Sequence, residues 1–187
     1  MSEFQPCFDF TIQWEGKRLT STPGDAGGLT FWGVSRKANP TWPGWGLVGS
    51  HLAVCNGDVP QASYLCNHDE TLVLMVQRFY KARFLSQRLD EINYQELAIQ
   101  LFDKAFNMGE AAIMGFQGLL NLTQDGIVGP VTIAAANAYP DASHLVDGFL
   151  GWVRLHYQNI AQKNPEDEKF LNGWLNRCRR SDVSFAA

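Results

Sequence analysis

The chain has 187 residues, of which 45% are hydrophobic and 18% charged, and a formal net charge of −4 at pH 7. That length buries the core of one compact domain, with room for a subdomain, and no apolar run is long enough to span a membrane. The acidic balance, with no basic stripe or arginine-rich arm, excludes a nucleic-acid binder and adhesion to an anionic envelope by charge alone.

The N-terminus, Met1-Ser2-Glu3-Phe4-Gln5-Pro6, has neither the basic start nor the apolar stretch of a secretory signal. Synthesis in the cytoplasm without a signal peptide is therefore expected, and action outside it needs another exit route. Phe4, Phe8 and Ile12 recur at helical spacing and predict an amphipathic helix ending near Gly16. Glu15 falls at the margin of that apolar stripe. Residues 17–35 hold Pro23, Gly24, Gly27, Gly28 and Gly33. They predict turns around a short β-hairpin with Leu29, Phe31 and Trp32 as strand residues. Residues 39–60, rich in Pro, Gly and Trp, read as irregular.

Asp69 is expected to cap a helix whose inward face carries Leu72, Val76, Phe79 and Tyr80. Further helices are predicted over residues 95–107 and 110–120. Asp125-Gly126-Ile127-Val128-Gly129-Pro130 is a turn feeding the next helix, with Pro130 in the favoured first position. A long helix over 143–163 ends at Asn164-Pro165. The last helix holds Phe170, Leu171, Trp174, Leu175 and Cys178, with Trp174 read as core packing. The fold class is mainly α with a small β element.

Four cysteines are present. Cys7 and Cys178 fit helical patterns and read as buried thiols, whereas Cys55 and Cys66 flank a Gly/Pro loop and are the better disulfide pair. Cys55, Cys66 and His68 lack the partner pair that a zinc site needs. Asn121-x-Thr123-x-Asp125-Gly126 fails as a calcium loop, because Thr132 stands where a bidentate glutamate belongs. No metal ligand set is assigned.

Glu15 is the candidate general acid. Cleaving a glycosidic bond requires protonating a poor leaving group, so the acid must hold its proton near neutral pH. Apolar neighbours penalise the charged form, and so does the partial negative charge of a helix C-terminus. Asp25 and Thr30 are the candidates for holding a water on the opposite sugar face, which would invert the anomeric centre. Gly27-Gly28 lets backbone approach substrate closely. Each residue also has an ordinary reading: a solvated helix-end charge, a turn aspartate, a strand threonine. Trp32, Trp42 and Trp45 read equally as sugar-stacking rings or as a satellite hydrophobic cluster. Asp103 and Asn107, one helical turn apart, read as ties to neighbouring backbone.

Glu15-Gly16 followed by Asp25-x-Gly27-Gly28-x-Thr30-x-x-Gly33-Val34-Ser35 resembles the N-terminal signature of the glycoside hydrolase family 108 N-acetylmuramidases. The order Glu, Asp, Thr is similar to the catalytic order of phage lysozymes. Arg78-Phe79-Tyr80-x-x-Arg83-Phe84 resembles that family's middle helix. Phe102-Asp103-x-Ala105-Phe106-Asn107-Met108-Gly109 resembles the start of its C-terminal, peptidoglycan-binding section. Leu119-Leu120-x-Leu122-x-x-Asp125-Gly126-x-x-Gly129-Pro130-x-Thr132 and Phe170-x-x-Gly173-Trp174-x-x-Arg177 continue it. The likeness runs over residues 4–180. It departs at Lys17 and Arg18, where the family has a glycine and a tyrosine, and in a slightly longer stretch from Glu15 to Asp25.

The resemblance implies a lysozyme-like helical catalytic part over residues 1–93. A helical peptidoglycan-binding part over 94–187 packs with it as one unit. It implies cleavage of the β-1,4 bond between N-acetylmuramic acid and N-acetylglucosamine without a cofactor. Glu15, Asp25 and Thr30 are its expected catalytic residues, and Gly28, Trp32, Trp45, Tyr80 and Asn107 its expected substrate contacts. The expected partner is the peptidoglycan glycan strand, with no nucleic acid and no membrane insertion. A phage endolysin reaching the wall through a holin, or an effector exported by a secretion machine and met by a cognate inhibitor, fits this pattern. A lytic transglycosylase, an inactive wall-binding protein and a structural protein that kept only the scaffold are the competing readings.

Overall fold

The computed structural model describes residues 1–21 and 28–181. Its helices and one small sheet form two compact units, one from Ile12–Arg83, the other from Met1–Thr11 and the chain from Phe84 on.

The first unit begins with the last turn of α1 (Phe4–Glu15), which ends where Gly16 adopts φ +76°, its N–H still donating to the Ile12 carbonyl at 3.0 Å. Only glycine takes that conformation without strain, so the helix stops with Glu15 as its last residue. Three short strands follow, β1 (Leu19–Ser21), β2 (Leu29–Phe31) and β3 (Val34–Ser35), antiparallel in the order β1-β2-β3. The expected hairpin thus gains a third strand. Phe31 pairs with Leu19 on one side and Val34 on the other, and all three side chains are buried.

Residues 39–60, expected to be irregular, instead carry α2 (Gly44–Val54) and the start of α3 (Val59–His68). Two of their three prolines stand at helix starts rather than break helices. Pro43 precedes α2, and Pro60 stands in the first turn of α3, where no N–H is needed. Asp58 caps α3, accepting from the Gln61 N–H at 2.8 Å. The Ser63 hydroxyl of α3 accepts from the Leu19 N–H at 2.9 Å, which fixes α3 to the edge of β1. Then comes α4 (Glu70–Ser86), capped by Asp69 as expected, whose carboxylate accepts from the Leu72 N–H at 3.1 Å. His51 at the end of α2 also bonds Asp69, at 2.9 Å, and holds that carboxyl below its usual range.

Cys55 and Cys66, the better disulfide candidates of the four cysteines, are both free. Cys66 is buried inside α3, where desolvation pushes its thiol up to about 11 and disfavours the thiolate that disulfide formation requires.

The second unit holds α5 (Gln95–Met108), α6 (Glu110–Leu119), α7 (Pro130–Asn137), α8 (Ala142–Lys163) and α9 (Glu168–Arg177). Every residue of α5 from Glu96 to Ala105 is buried. Two of the three charged residues in that span, Asp103 and Lys104, are paired. Asp103 accepts two hydrogen bonds from Arg177 of α9 (Nη2 at 2.8 Å, Nε at 3.0 Å) and one from Lys104 Nζ at 2.7 Å. Lys104 also donates to the Arg177 carbonyl at 2.8 Å. Burial alone would raise the Asp103 carboxyl, but Lys104 and Arg177 outweigh it and hold it low. Phe4 packs on Phe84 and Phe102 in the same unit. No helix among the described residues is long and apolar enough to cross a membrane. The fold is mainly α, as expected, with its small sheet beside the candidate acid.

Candidate functional site

Glu15 is half-buried at the last turn of α1. What stands beside it is the two-residue turn between β2 and β3. Trp32 and Gly33 both have positive φ, +46° and +77°, the geometry of a type I′ hairpin turn. A β-carbon at Gly33 would lie 3.0 Å from the Glu15 carboxyl oxygen Oε2 and 2.6 Å from the Tyr80 hydroxyl. Glycine at 33 is therefore required twice, by backbone conformation and by the space the carboxyl and the phenol occupy.

Trp32 is a bulky residue in the left-handed region, so its surroundings must hold it there. Three groups do so. The Tyr80 hydroxyl, fully buried on α4, donates to the Trp32 carbonyl at 2.7 Å. The Trp32 indole N–H donates to Asn67 Oδ1 on α3 at 2.7 Å. Lys17 Nζ sits 5.3 Å from the centre of the indole ring. Asn67 in turn donates to the Lys17 carbonyl at 2.8 Å, tying the residues just after Glu15 to the same turn. The Trp32 N–H closes the loop on the Arg18 carbonyl at 3.2 Å. The result is an acid whose neighbouring backbone is pinned from three sides.

Thr30 is half-buried on the central strand, opposite Thr20 on β1 and Ser35 on β3, so three hydroxyls line one rung of the sheet. Gly28 is exposed at the start of β2, with φ +61°. Asp25 lies outside the described residues. Trp32 and Tyr80 stand at the turn, both buried. Trp45 is buried as well, its indole N–H donating to the Asn39 carbonyl at 2.7 Å, its ring edge-on to Trp42 at 5.1 Å. Trp42 continues to Phe79 at 6.4 Å, so these rings form an aromatic cluster. Asn107 belongs to the other unit, exposed near the end of α5, where its side-chain oxygen accepts from the Tyr157 hydroxyl. Asp103 binds charged side chains of α5 and α9 rather than only backbone, a correction to the sequence reading. The residues that sequence reasoning missed are Ser63 and Asn67. Both lie on α3, just past the stretch read as irregular.

The family model for glycosyl hydrolase 108 matches residues 8–109. The chain belongs to the glycosyl hydrolase 108 family. A second model, described as a predicted peptidoglycan domain, matches residues 111–179 of this family member. No curated protein matches it. Among solved structures, SagA of Brucella abortus is similar in fold, with a TM-score of 0.64 at 18% identity, covering 94% of this chain and 88% of SagA. The glycosyl hydrolase 108 match takes in the whole Glu15–Tyr80 constellation, and the second match takes in α6 to α9. The chain is a glycoside hydrolase whose substrate is peptidoglycan.

Proposed function

We propose that the chain is an N-acetylmuramidase, cleaving the β-1,4 bond between N-acetylmuramic acid and N-acetylglucosamine. Glu15 is the general acid. The observation that carries this reading is the half-buried Glu15 carboxyl packed against the Gly33 turn, with the Tyr80 hydroxyl at the same point. An acid fixed this way meets the glycosidic oxygen without first losing side-chain freedom. Its proton passes to that oxygen as the bond to the anomeric carbon breaks. A water held by Thr30 and Asp25 attacks from the opposite face, giving up its proton to the Asp25 carboxylate and inverting the anomeric centre. Gly28 leaves room for backbone to approach the sugar. Trp32 and Tyr80 act as positioning residues for the turn. We place the action at the cell wall, reached by holin-mediated release or through a secretion machine, with a cognate inhibitor the natural partner in the second case.

Replacing Glu15 by Gln keeps shape and hydrogen-bonding capacity but removes the titratable proton. Glu15→Gln is expected to abolish release of reducing ends from purified sacculi and leave the melting temperature nearly unchanged. A normal rate in that variant sinks the assignment. Mass spectrometry of wild-type products should show muramic ends that have gained water. Anhydro ends would identify a lytic transglycosylase instead.

A further inference from the structure

Helices α8 and α9, joined by a short turn over Pro165–Asp167, carry a wall of aromatic rings. Trp174, expected in the core, is only half-buried. It stacks on Tyr157 at 5.0 Å and 22°, and Phe170, 49% exposed, continues the wall at 5.9 Å. These rings line a cleft of about 390 Å³ that also takes in Asn107, His156 and Asp167. That volume lies within the roughly 300–1,000 Å³ of small-ligand sites. All of these residues lie in one unit, and none belongs to the unit of Glu15.

We infer that the α8–α9 cleft is a second saccharide site, which takes the uncharged N-acetylglucosamine rings of a glycan strand. Three features select that ligand. The exposed parts of the Phe170 and Trp174 rings suit the C–H face of a pyranose, which is apolar while its rim is polar. Polar groups at the edge of the wall match that rim: the Asp167 carboxylate accepts from sugar hydroxyls, and the Asn107 amide N–H groups donate to an acetamido oxygen. The Asn107 oxygen is already occupied by the Tyr157 hydroxyl, which fixes the amide so that its N–H side is the one on offer. Charge decides between sugars. Asp167 in the cleft, with Glu166 and Glu168 beside it in sequence, disfavours the lactyl carboxylate of muramic acid and the acidic stem peptide. Lys169, its ammonium over the Phe170 ring at 4.9 Å, and Lys163, which acts on the His156 ring, offset two of these three charges and leave the segment net negative. The inference rests on peptidoglycan being the substrate, and is independent of whether Glu15 is the acid.

The test uses the full chain carrying Glu15→Gln, so that the probe is not consumed. It is titrated with the tetramer of N-acetylglucosamine while the tryptophan indole N–H signals are followed by NMR, Trp174 being assigned with Trp174→Phe. The Trp174 signal is expected to shift saturably. Phe170→Ala, a change at a ring half in solvent, should weaken that binding about tenfold, equivalent to about 1.4 kcal/mol. A Trp174 signal that stays still, an unchanged affinity in Phe170→Ala, or a response to free stem peptide but not to the sugar overturns the inference. Failure of the muramidase reading looks different. Wild-type protein would then release no reducing ends from sacculi, while the Trp174 shift persists.

Discussion

Gly33 shows how one residue serves conformation and chemistry together. Its φ of +77° suits the hairpin turn, and its missing side chain leaves a space that the Glu15 carboxyl and the Tyr80 hydroxyl both border. Gly33→Ala must bear the left-handed conformation, about 1–2 kcal/mol for an L-residue, and displace one of those groups. It is expected to lower the melting temperature by several degrees and to abolish wall clearing, read by thermal unfolding and reducing-end release. Tyr80→Phe separates the two effects. It keeps the packing but leaves the Trp32 carbonyl without its donor, a loss of about 1–3 kcal/mol for a buried acceptor. Its turnover should fall about tenfold or more, since small misplacements near a reacting centre are expensive in rate. Unchanged turnover would show that the turn holds its shape without the phenol. The turn beside Glu15 was legible because residues 17–35 are dense in glycine and proline, as a tight turn requires. Asn67 was not legible. Its role depends on α3 folding back against the turn, and nothing within its own segment announces that contact. Trp32 and Trp45 were read equally as sugar platforms or as a cluster. Both indole N–H groups are taken up by the protein, and both rings are buried.

At the scale of elements, helices with a clear apolar period emerged near their expected bounds: α5 at Gln95–Met108 against residues 95–107, and α8 at Ala142–Lys163 against 143–163. Helices α2 and α3 did not, because Pro43 and Pro60 were weighed as breakers when each stands at a helix start. The pairing Asp58-x-Pro60 was the signal that could have found α3. What joins these helices is less visible in sequence than the helices themselves. Asp103, Lys104 and Arg177 are all buried, and periodicity alone does not say that α9 brings its arginine to α5. Removing one member of such a group strands the others. Asp103→Ala is expected to cost about 3–5 kcal/mol in chemical denaturation, with Lys104 and Arg177 left buried and uncompensated. The pH dependence has a definite sign. The folded carboxyl lies below its unfolded value, so the stabilisation is complete above the unfolded value and is lost as pH falls through the folded one. Acid unfolding of the wild type should therefore be steeper than that of Asp103→Ala, and equal acid sensitivity would remove the triad from the explanation. Gln117 plays the neutral counterpart. Its amide donates to Asp125 at 2.6 Å and to the Ile127 carbonyl at 3.0 Å, and its oxygen accepts from the Gly126 N–H at 3.0 Å. The Asp125–Pro130 turn that the sequence marks is thus held by a glutamine that the sequence does not mark. Gln117→Ala should loosen the turn, read as faster amide exchange at Gly126 and Ile127.

For the whole molecule the governing quantity is net charge. At −4 the chain is repelled on average by an anionic wall, so the proposed hold on glycan strands must come from short-range contacts: apolar ring faces and hydrogen bonds. Salt separates this mechanism from adhesion by charge. Raising ionic strength from about 0.1 M to about 1 M shrinks the screening length from about 10 Å to about 3 Å. A basic wall binder loses affinity steeply over that range, because its attraction is what salt removes. Here salt removes a repulsion and leaves ring stacking untouched. Co-sedimentation of the Glu15→Gln variant with purified sacculi should stay constant or rise over that range, while Phe170→Ala should bind less at every salt concentration. A steep fall with salt in the parent variant would mean that a local cluster of cations, such as Arg18, Lys17 and Arg36 around the sheet, governs wall affinity, and that net charge is the wrong quantity to reason from.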